Sequence, residues 1–348
     1  MLSLVFACTA AAVKVFSLDA LTSAAPAREF RAALERDAVV ILDPSDAQKV
    51  ALDQVTKFAS SFFALTPEEQ NRFGPLHEPE NSEAHMGQSL PVGAWQSQYS
   101  FGREVNSFLD SRLRRVQAAT AADSGLEVLP RGLDRCVPGS REVLIDAQAA
   151  LLEIGLTALR VAMDGELPPD LSDLIDAPEE LPVGACSAAV HRFAWYPASP
   201  VGASPLATTG LDTSSTSSSG SRSTSGVVDA RTATAADVAF EAHTDGSWLT
   251  LVPCTPVPGL EVETSSGWLK PEVGAPPGSV AVLTGDGLQF LSGSRYRSAL
   301  HRVVRPTNGA APRASAPYLL RASPRFVQSP WLKQRRGVVE QVGRGAGA

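Results

Sequence analysis

Five histidines occur in 348 residues, and one of them, His243, stands two positions before Asp245. Residues two apart on an extended segment point to the same side. The pair therefore offers an imidazole nitrogen and a carboxylate oxygen to one point in space. A histidine beside an aspartate also commonly forms a plain hydrogen-bonded pair, so a third group must settle the matter. His301 lies 58 residues further on, with room for several antiparallel strands between. Two histidines and one carboxylate on one face of a metal leave its other face open, an arrangement that suits Fe(II) and O2 chemistry. Further along, Arg313-Ala314-Ser315 puts a guanidinium and a hydroxyl on one face of a strand. In a barrel interior that arginine needs an anion, and its planar fork suits a carboxylate. With Pro312 and Pro317 close by, a surface arginine on a strand edge is the alternative.

These residues need a scaffold that brings distant segments together. The chain is 44% apolar and 19% charged, which permits a large core. Its net charge of −7 disfavours a nucleic-acid partner, which would need a basic face. Four scattered cysteines without a CxxC pair imply a reducing compartment and hence a cytoplasmic setting. No apolar run is long enough to cross a bilayer, so no membrane partner is expected. The apolar start MLSLVFACTAAAV lacks a preceding basic residue, and a targeting segment there stays open.

Hydrophobic spacing predicts strands at 14–18 and 38–42 and helices at 27–36, 49–64 and after Ser140, making the first half mainly helical. Thr66-Pro67-Glu68-Glu69 reads as a capped helix start. Residues 71–100 read as loop. The second half reads as short strands at 191–197, 247–253, 260–264, 279–286, 296–304 and 314–320, a sandwich or barrel pattern. Between them, 213–226 is Ser, Thr or Gly except for Arg222, a composition that cannot bury a core and reads as a flexible insertion.

The ordered series HTDGSWLTLV, PGLEV, GWLKPEVGAPPGSVAVLTGDGLQFLSGSRYRSALHRVV and RAS resembles the iron- and 2-oxoglutarate-dependent dioxygenases of the isopenicillin N synthase-like superfamily. FSLDALTS and FFALTPEEQNRF resemble its opening strand and N-terminal helical segment more loosely. The resemblance implies a mainly β fold with helices: a distorted double-stranded β-helix, or jelly roll, flanked by N-terminal helices. It divides the chain into an extension at 1–13, a helical portion at 14–180, a jelly-roll core at 181–330 with the insertion near 198–236, and a tail at 331–348. It implies that His243, Asp245 and His301 bind Fe(II), and that Arg313 and Ser315 hold the distal carboxylate of the cosubstrate 2-oxoglutarate. Tyr196 matches the tyrosine of an Asn-x-Tyr motif beside the cosubstrate, while Ala194 stands where the asparagine is usual.

The activity implied is oxidation of a small organic molecule with O2, by hydroxylation or desaturation, releasing succinate and CO2. Three alternatives remain open: an oxidase-type relative that does not use 2-oxoglutarate, a barrel that binds without turnover, and a zinc hydrolase. His77 and His85 fall in the early loop and read as surface residues; His191 reads as a hydrogen-bonded structural histidine. Gln289 and Leu291 are expected to support the core, and Asp286 to close a turn.

Overall fold

The computed structural model describes residues 13–74, 76–77, 91–96, 106–120, 123–167, 171, 174–198, 238–306, 311–323 and 325–326. Most of the N-terminal extension, the Ser-rich insertion, the tail and His85 lie outside these residues, as does the His77 side chain.

Two sheets face each other. In chain order the strands are β1 (Val15–Ser17), β2 (Val39–Asp43), β3 (Leu76–His77), β4 (Pro91–Gln96), β5 (Ser107–Arg115), β6 (Leu126–Leu129), β7 (Val190–Tyr196), β8 (Val238–His243), β9 (Leu249–Pro253), β10 (Leu260–Thr264), β11 (Gly267–Leu269), β12 (Val280–Thr284), β13 (His301–Val304), β14 (Arg313–Ser315) and β15 (Tyr318–Leu320). The larger sheet runs β1-β2-β12-β9-β15-β7-β5-β4-β3, with β14 also on β7 and β6 also on β5. The smaller runs β11-β10-β13-β8. This is the distorted jelly roll expected from the sequence.

Helices α1 (Ala24–Asp37), α2 (Asp46–Phe63) and α5 (Ser140–Met163) cover the outer face of the larger sheet, and the short α4 (Leu133–Cys136) leads into α5. Each has an apolar stripe at helical spacing: Phe30 and Leu34 in α1, Val55, Phe58 and Phe62 in α2, and Leu151, Ile154 and Ala158 in α5. Burying each aromatic ring contributes roughly 1.5–3 kcal/mol. Reciprocal capping boxes start α2 (Ser45 with Gln48) and the short α3 (Pro67–Asn71; Thr66 with Glu69), the second as the sequence predicted.

Strands β9 and β12 are covered on both faces, which is why LTLVP and VAVLT are buried at every position. Their alternation still sorts the side chains. Leu249, Leu251, Val280 and Val282 pack toward the helices, while Val252, Ala281 and Leu283 pack toward the smaller sheet.

Several sequence expectations are corrected. The first half is richer in helix than in strand, as expected, but it also holds strands the pattern did not show: β5 pairs directly with β7, and β4 forms within the expected 71–100 loop. The segment FLDSRLRR of β5 escapes a periodicity reading because its inward Asp110 and Arg112 are charged yet fully buried. The strand expected at 296–304 begins only at His301, and 314–320 splits into β14 and β15 around Pro317. The strand expected at 279–286 ends at Thr284, and Asp286 opens the short helix α6 (Asp286–Leu291). No helix among the described residues is long and apolar enough to cross a membrane.

Candidate functional site

His243 is the last residue of β8 and His301 the first of β13, and the antiparallel register places them directly opposite each other. Their ring centroids are 4.2 Å apart. Asp245 lies two residues past His243, beyond the end of the strand, and its carboxylate reaches both rings: Oδ1 is 3.7 Å from His243 Nε2 and Oδ2 is 3.6 Å from His301 Nε2. One ligand atom from each residue falls within 4.8 Å of the others.

The tautomers follow from the neighbours. His243 Nδ1 donates to the Glu241 carbonyl at 2.8 Å, and His301 Nδ1 donates to the Ala299 carbonyl at 3.0 Å. A carbonyl only accepts, so each Nδ1 carries the proton and each Nε2 turns its lone pair toward Asp245. Burial, with the adjacent His301, lowers the His243 pKa and favours the neutral ring a metal needs. Burial pushes the Asp245 carboxyl up, but His301, the Thr250 hydroxyl, His243 and Arg192 outweigh it and hold the group below its ordinary value. Thr250 Oγ1 donates to Asp245 Oδ2 at 2.6 Å and fixes the carboxylate's rotation.

The GDGLQFL segment holds this centre from behind. The amides of Asp286, Gly285 and Gly287 donate to the carbonyls of Asp245, Trp248 and Ser247. A Cβ on Gly285 would overlap the Ser247 carbonyl oxygen, so only glycine permits this approach. Asp286 Oδ1 and Gln289 Oε1 accept bonds from Ser298 Oγ and the Ser298 amide, both at 2.6 Å, three residues before His301. Leu291 is a buried core residue. Gln289 and Leu291 thus have the supporting part expected of them, while Asp286, expected to close a turn, opens a helix instead.

A cavity runs from the triad to Arg313, lined also by Phe108, Arg192, Tyr196 and Ser315. Strand β14 pairs with β7 so that Arg313 faces Tyr196 and Ser315 faces Ala194. The guanidinium lies 5.7 Å from the Tyr196 ring centroid. Burial pushes the Tyr196 hydroxyl up to about 12, so it is a protonated donor at neutral pH. Ala194 is fully buried beside Phe108 and Val303, and its methyl group offers no polar contact at this position.

Arg313 is 1% exposed and donates from Nη2 to Glu272 Oε1 at 3.0 Å. Its Nε and Nη1 are buried without a hydrogen-bond partner among the described residues. Two unsatisfied donors on a sealed arginine are costly unless an anion completes them.

His191 is a structural residue, as expected. Its ring is fully buried between Phe193 and Tyr318, with the Ala316 backbone beside it as a hydrogen-bond partner. Burial lowers its pKa to about 3. Sequence reasoning missed Thr250, Glu272, Arg192 and Asp110. The first two sit inside the quoted motifs LTL and KPEV, but nothing local shows that they touch Asp245 and Arg313.

Comparison with known proteins follows the same lines. Residues 228–322 match the 2OG-Fe(II) oxygenase superfamily. Leucoanthocyanidin dioxygenase 1 of Oryza sativa subsp. indica is 43% identical over 67 residues, which is 19% of this chain and 17% of the rice protein. The matched segment thus spans about a sixth of that relative's length. A full-length Neurospora crassa protein, solved in complex with alpha-KG and 5-formyluracil, superposes with a TM-score of 0.60 at 14% identity, covering 89% of this chain and 85% of that one. Dioxygenase for auxin oxidation 1 from Arabidopsis thaliana, bound to 2-oxoglutarate, gives 0.55 at 15% identity, covering 89% and 93%. The two structures show the shared fold. The family uses Fe(II), 2-oxoglutarate and O2. The donor set here fits both groups: two neutral imidazoles with a carboxylate suit Fe(II), and the unsatisfied Arg313 donors suit a carboxylate.

Proposed function

Taking as premise that residues 228–322 are a 2OG-Fe(II) oxygenase superfamily segment on the jelly-roll fold of that family, we propose that the chain is a non-haem Fe(II)- and 2-oxoglutarate-dependent dioxygenase that hydroxylates or desaturates a small organic substrate. The observation that carries this reading is the pairing of His243 with His301 across β8 and β13, with Asp245 reaching both, in one cavity with a buried arginine whose donors are incomplete. The portions at 14–180 and 181–330 act as one catalytic unit in this reading, supported by the pairing of β5 with β7.

His243 Nε2, Asp245 and His301 Nε2 would hold the iron. Bound iron supplies O2 activation coupled to oxidative decarboxylation of 2-oxoglutarate to succinate and CO2. The protein's own residues do the rest. The carbonyls of Glu241 and Ala299 keep both histidines in the ligating tautomer, and Thr250 aims the carboxylate. Arg313, with Ser315 and Tyr196 beside it, binds and orients the cosubstrate's distal carboxylate. Phe108, Val252, Leu260 and Val303 line the cavity with apolar surface and limit water near the reacting groups.

The test is an anaerobic titration of the Fe(II)-loaded protein with 2-oxoglutarate, followed in the visible range. A saturable metal-to-ligand charge-transfer band, weakened in Arg313→Ala, is expected. His243→Ala, Asp245→Ala and His301→Ala should each lose Fe(II) affinity and succinate formation. Iron binding without the band would leave an oxidase-type relative or a barrel without turnover.

A further inference from the structure

Strand β8 is irregular just before the triad. Between the Val303–Phe240 pair and the His301–His243 pair, β13 spans two positions and β8 three. A bulge of this kind bends the strand and re-aims its side chains. Phe240 and His243 are an odd number of residues apart, so strict alternation would send them to opposite faces of the sheet. With the bulge, both line the cavity.

The Phe240 ring therefore lies against a triad member. Its centroid is 4.8 Å from that of His243, with an interplanar angle of 74°. Among the described residues, it is the one phenylalanine or tyrosine in ring contact with a triad histidine. Tyr196 is turned to Arg313 instead. Two contacts hold Phe240 in place. Phe108 meets it edge to face at 5.7 Å, and Asn106 Nδ2 donates to the adjoining Ala239 carbonyl at 2.6 Å. The second contact ties β8, an edge strand of the smaller sheet, to the residue that leads into β5 of the larger one. A site that activates O2 must keep its oxidising power on the substrate. With no substrate bound, the ring beside His243 is the oxidisable group the fold presents.

We propose that Phe240 is a modification site, hydroxylated on its ring by this chain's own centre when no substrate is bound. This rests on the reading of that centre as Fe(II)- and 2-oxoglutarate-dependent. One atom of O2 enters a ring C–H bond and gives a phenol; the other enters the new carboxylate of succinate as CO2 leaves. The ring and 2-oxoglutarate each give up two electrons, together the four that O2 accepts. The displaced ring hydrogen leaves as a proton, and the phenol oxygen takes one from solvent.

The test incubates the full chain with Fe(II), 2-oxoglutarate and isotopically labelled O2, without any further organic substrate, and reads its peptides by mass spectrometry. One labelled oxygen atom on Phe240 is expected. It should be absent without 2-oxoglutarate and absent from Asp245→Ala. Proximity is measured without turnover: 4-fluorophenylalanine replaces the 13 phenylalanines, and Mn(II) is bound anaerobically in place of iron. The fluorine signal missing from both Phe240→Leu and Phe240→Tyr should be the one broadened most. Label on Phe108, Tyr196 or a triad histidine instead, or succinate formed with no label on Phe240, would overturn the inference and leave the cosubstrate reading standing. A Phe240 signal broadened no more than the others would overturn it as well. Absence of both the charge-transfer band and succinate would remove the cosubstrate reading and this inference together.

Discussion

Glu272 holds Arg313 through a single hydrogen bond, Nη2 to Oε1 at 3.0 Å, with the arginine side chain 1% and the glutamate side chain 0% exposed. The same carboxylate accepts from the amides of Gly259 and Leu260 at 2.8 and 2.9 Å. It is thus anchored by backbone on one side and turns one oxygen to the arginine. Arg313 is fixed in place before any cosubstrate arrives.

That pairing has two linked consequences. Removing one partner of a buried ion pair costs about 3–5 kcal/mol, because the other charge stays buried alone. Glu272→Gln keeps the shape and removes the charge, so the protein without cosubstrate should lose thermal stability. The uncompensated Arg313 should then attract a carboxylate more strongly, and 2-oxoglutarate should bind several-fold tighter and raise the melting temperature by more than in the parent. Thermal melts with and without 2-oxoglutarate check this; unchanged values in both would refute the coupling.

Gly259 of the PGLEV motif leaves room for the same arginine. A Cβ there would lie 2.6 Å from Arg313 Cδ and 2.9 Å from Nε. Gly259→Ala should displace the guanidinium and weaken 2-oxoglutarate binding by about tenfold, on the scale of a lost charged hydrogen bond. Fe(II) affinity should stay at the parent value. Parallel titrations of metal and cosubstrate separate the two effects.

Thr250→Val should act at the metal instead. The swap keeps the volume and removes the hydroxyl that holds Asp245 Oδ2. Loss of such a supporting bond typically weakens a metal by about 10- to 100-fold. Fe(II) affinity should fall within that range, and Arg313-dependent properties should persist once iron saturates. A metal titration that matches the parent would exclude Thr250 from this part.

His191 sets an acid limit on stability. Its pKa is about 3 in the fold against 6.5 for the exposed ring. Between those values the unfolded chain binds a proton that the fold refuses, so stability falls as pH drops from 6.5 toward 3. At pH 5 the loss from this one group is about 2 kcal/mol relative to neutral pH. Unfolding free energies from urea titrations at pH 7 and pH 5 should differ less in His191→Leu by that amount. An identical pH dependence in both proteins would count against the assignment.

The candidate metal ligands are legible in the sequence because they sit in one short motif and one distant strand whose order and spacing are local facts: HTD, then LHRVV. The helix start at Thr66 was legible for the same reason, since a capping box needs only four consecutive residues. β5 was not, because Asp110 and Arg112 break the apolar pattern and are tolerated only by partners far along the chain: Asp110 meets Arg192, 82 positions later. Glu272 was missed in the same way, since no local pattern marks it as the partner of Arg313. Sequence by itself determined the chemical types present, the strand alternation that turns them inward and the family they resemble. Only the tertiary structure decided which charges meet, because burial makes ionic partners obligatory and register, set by residues tens of positions apart, chooses them.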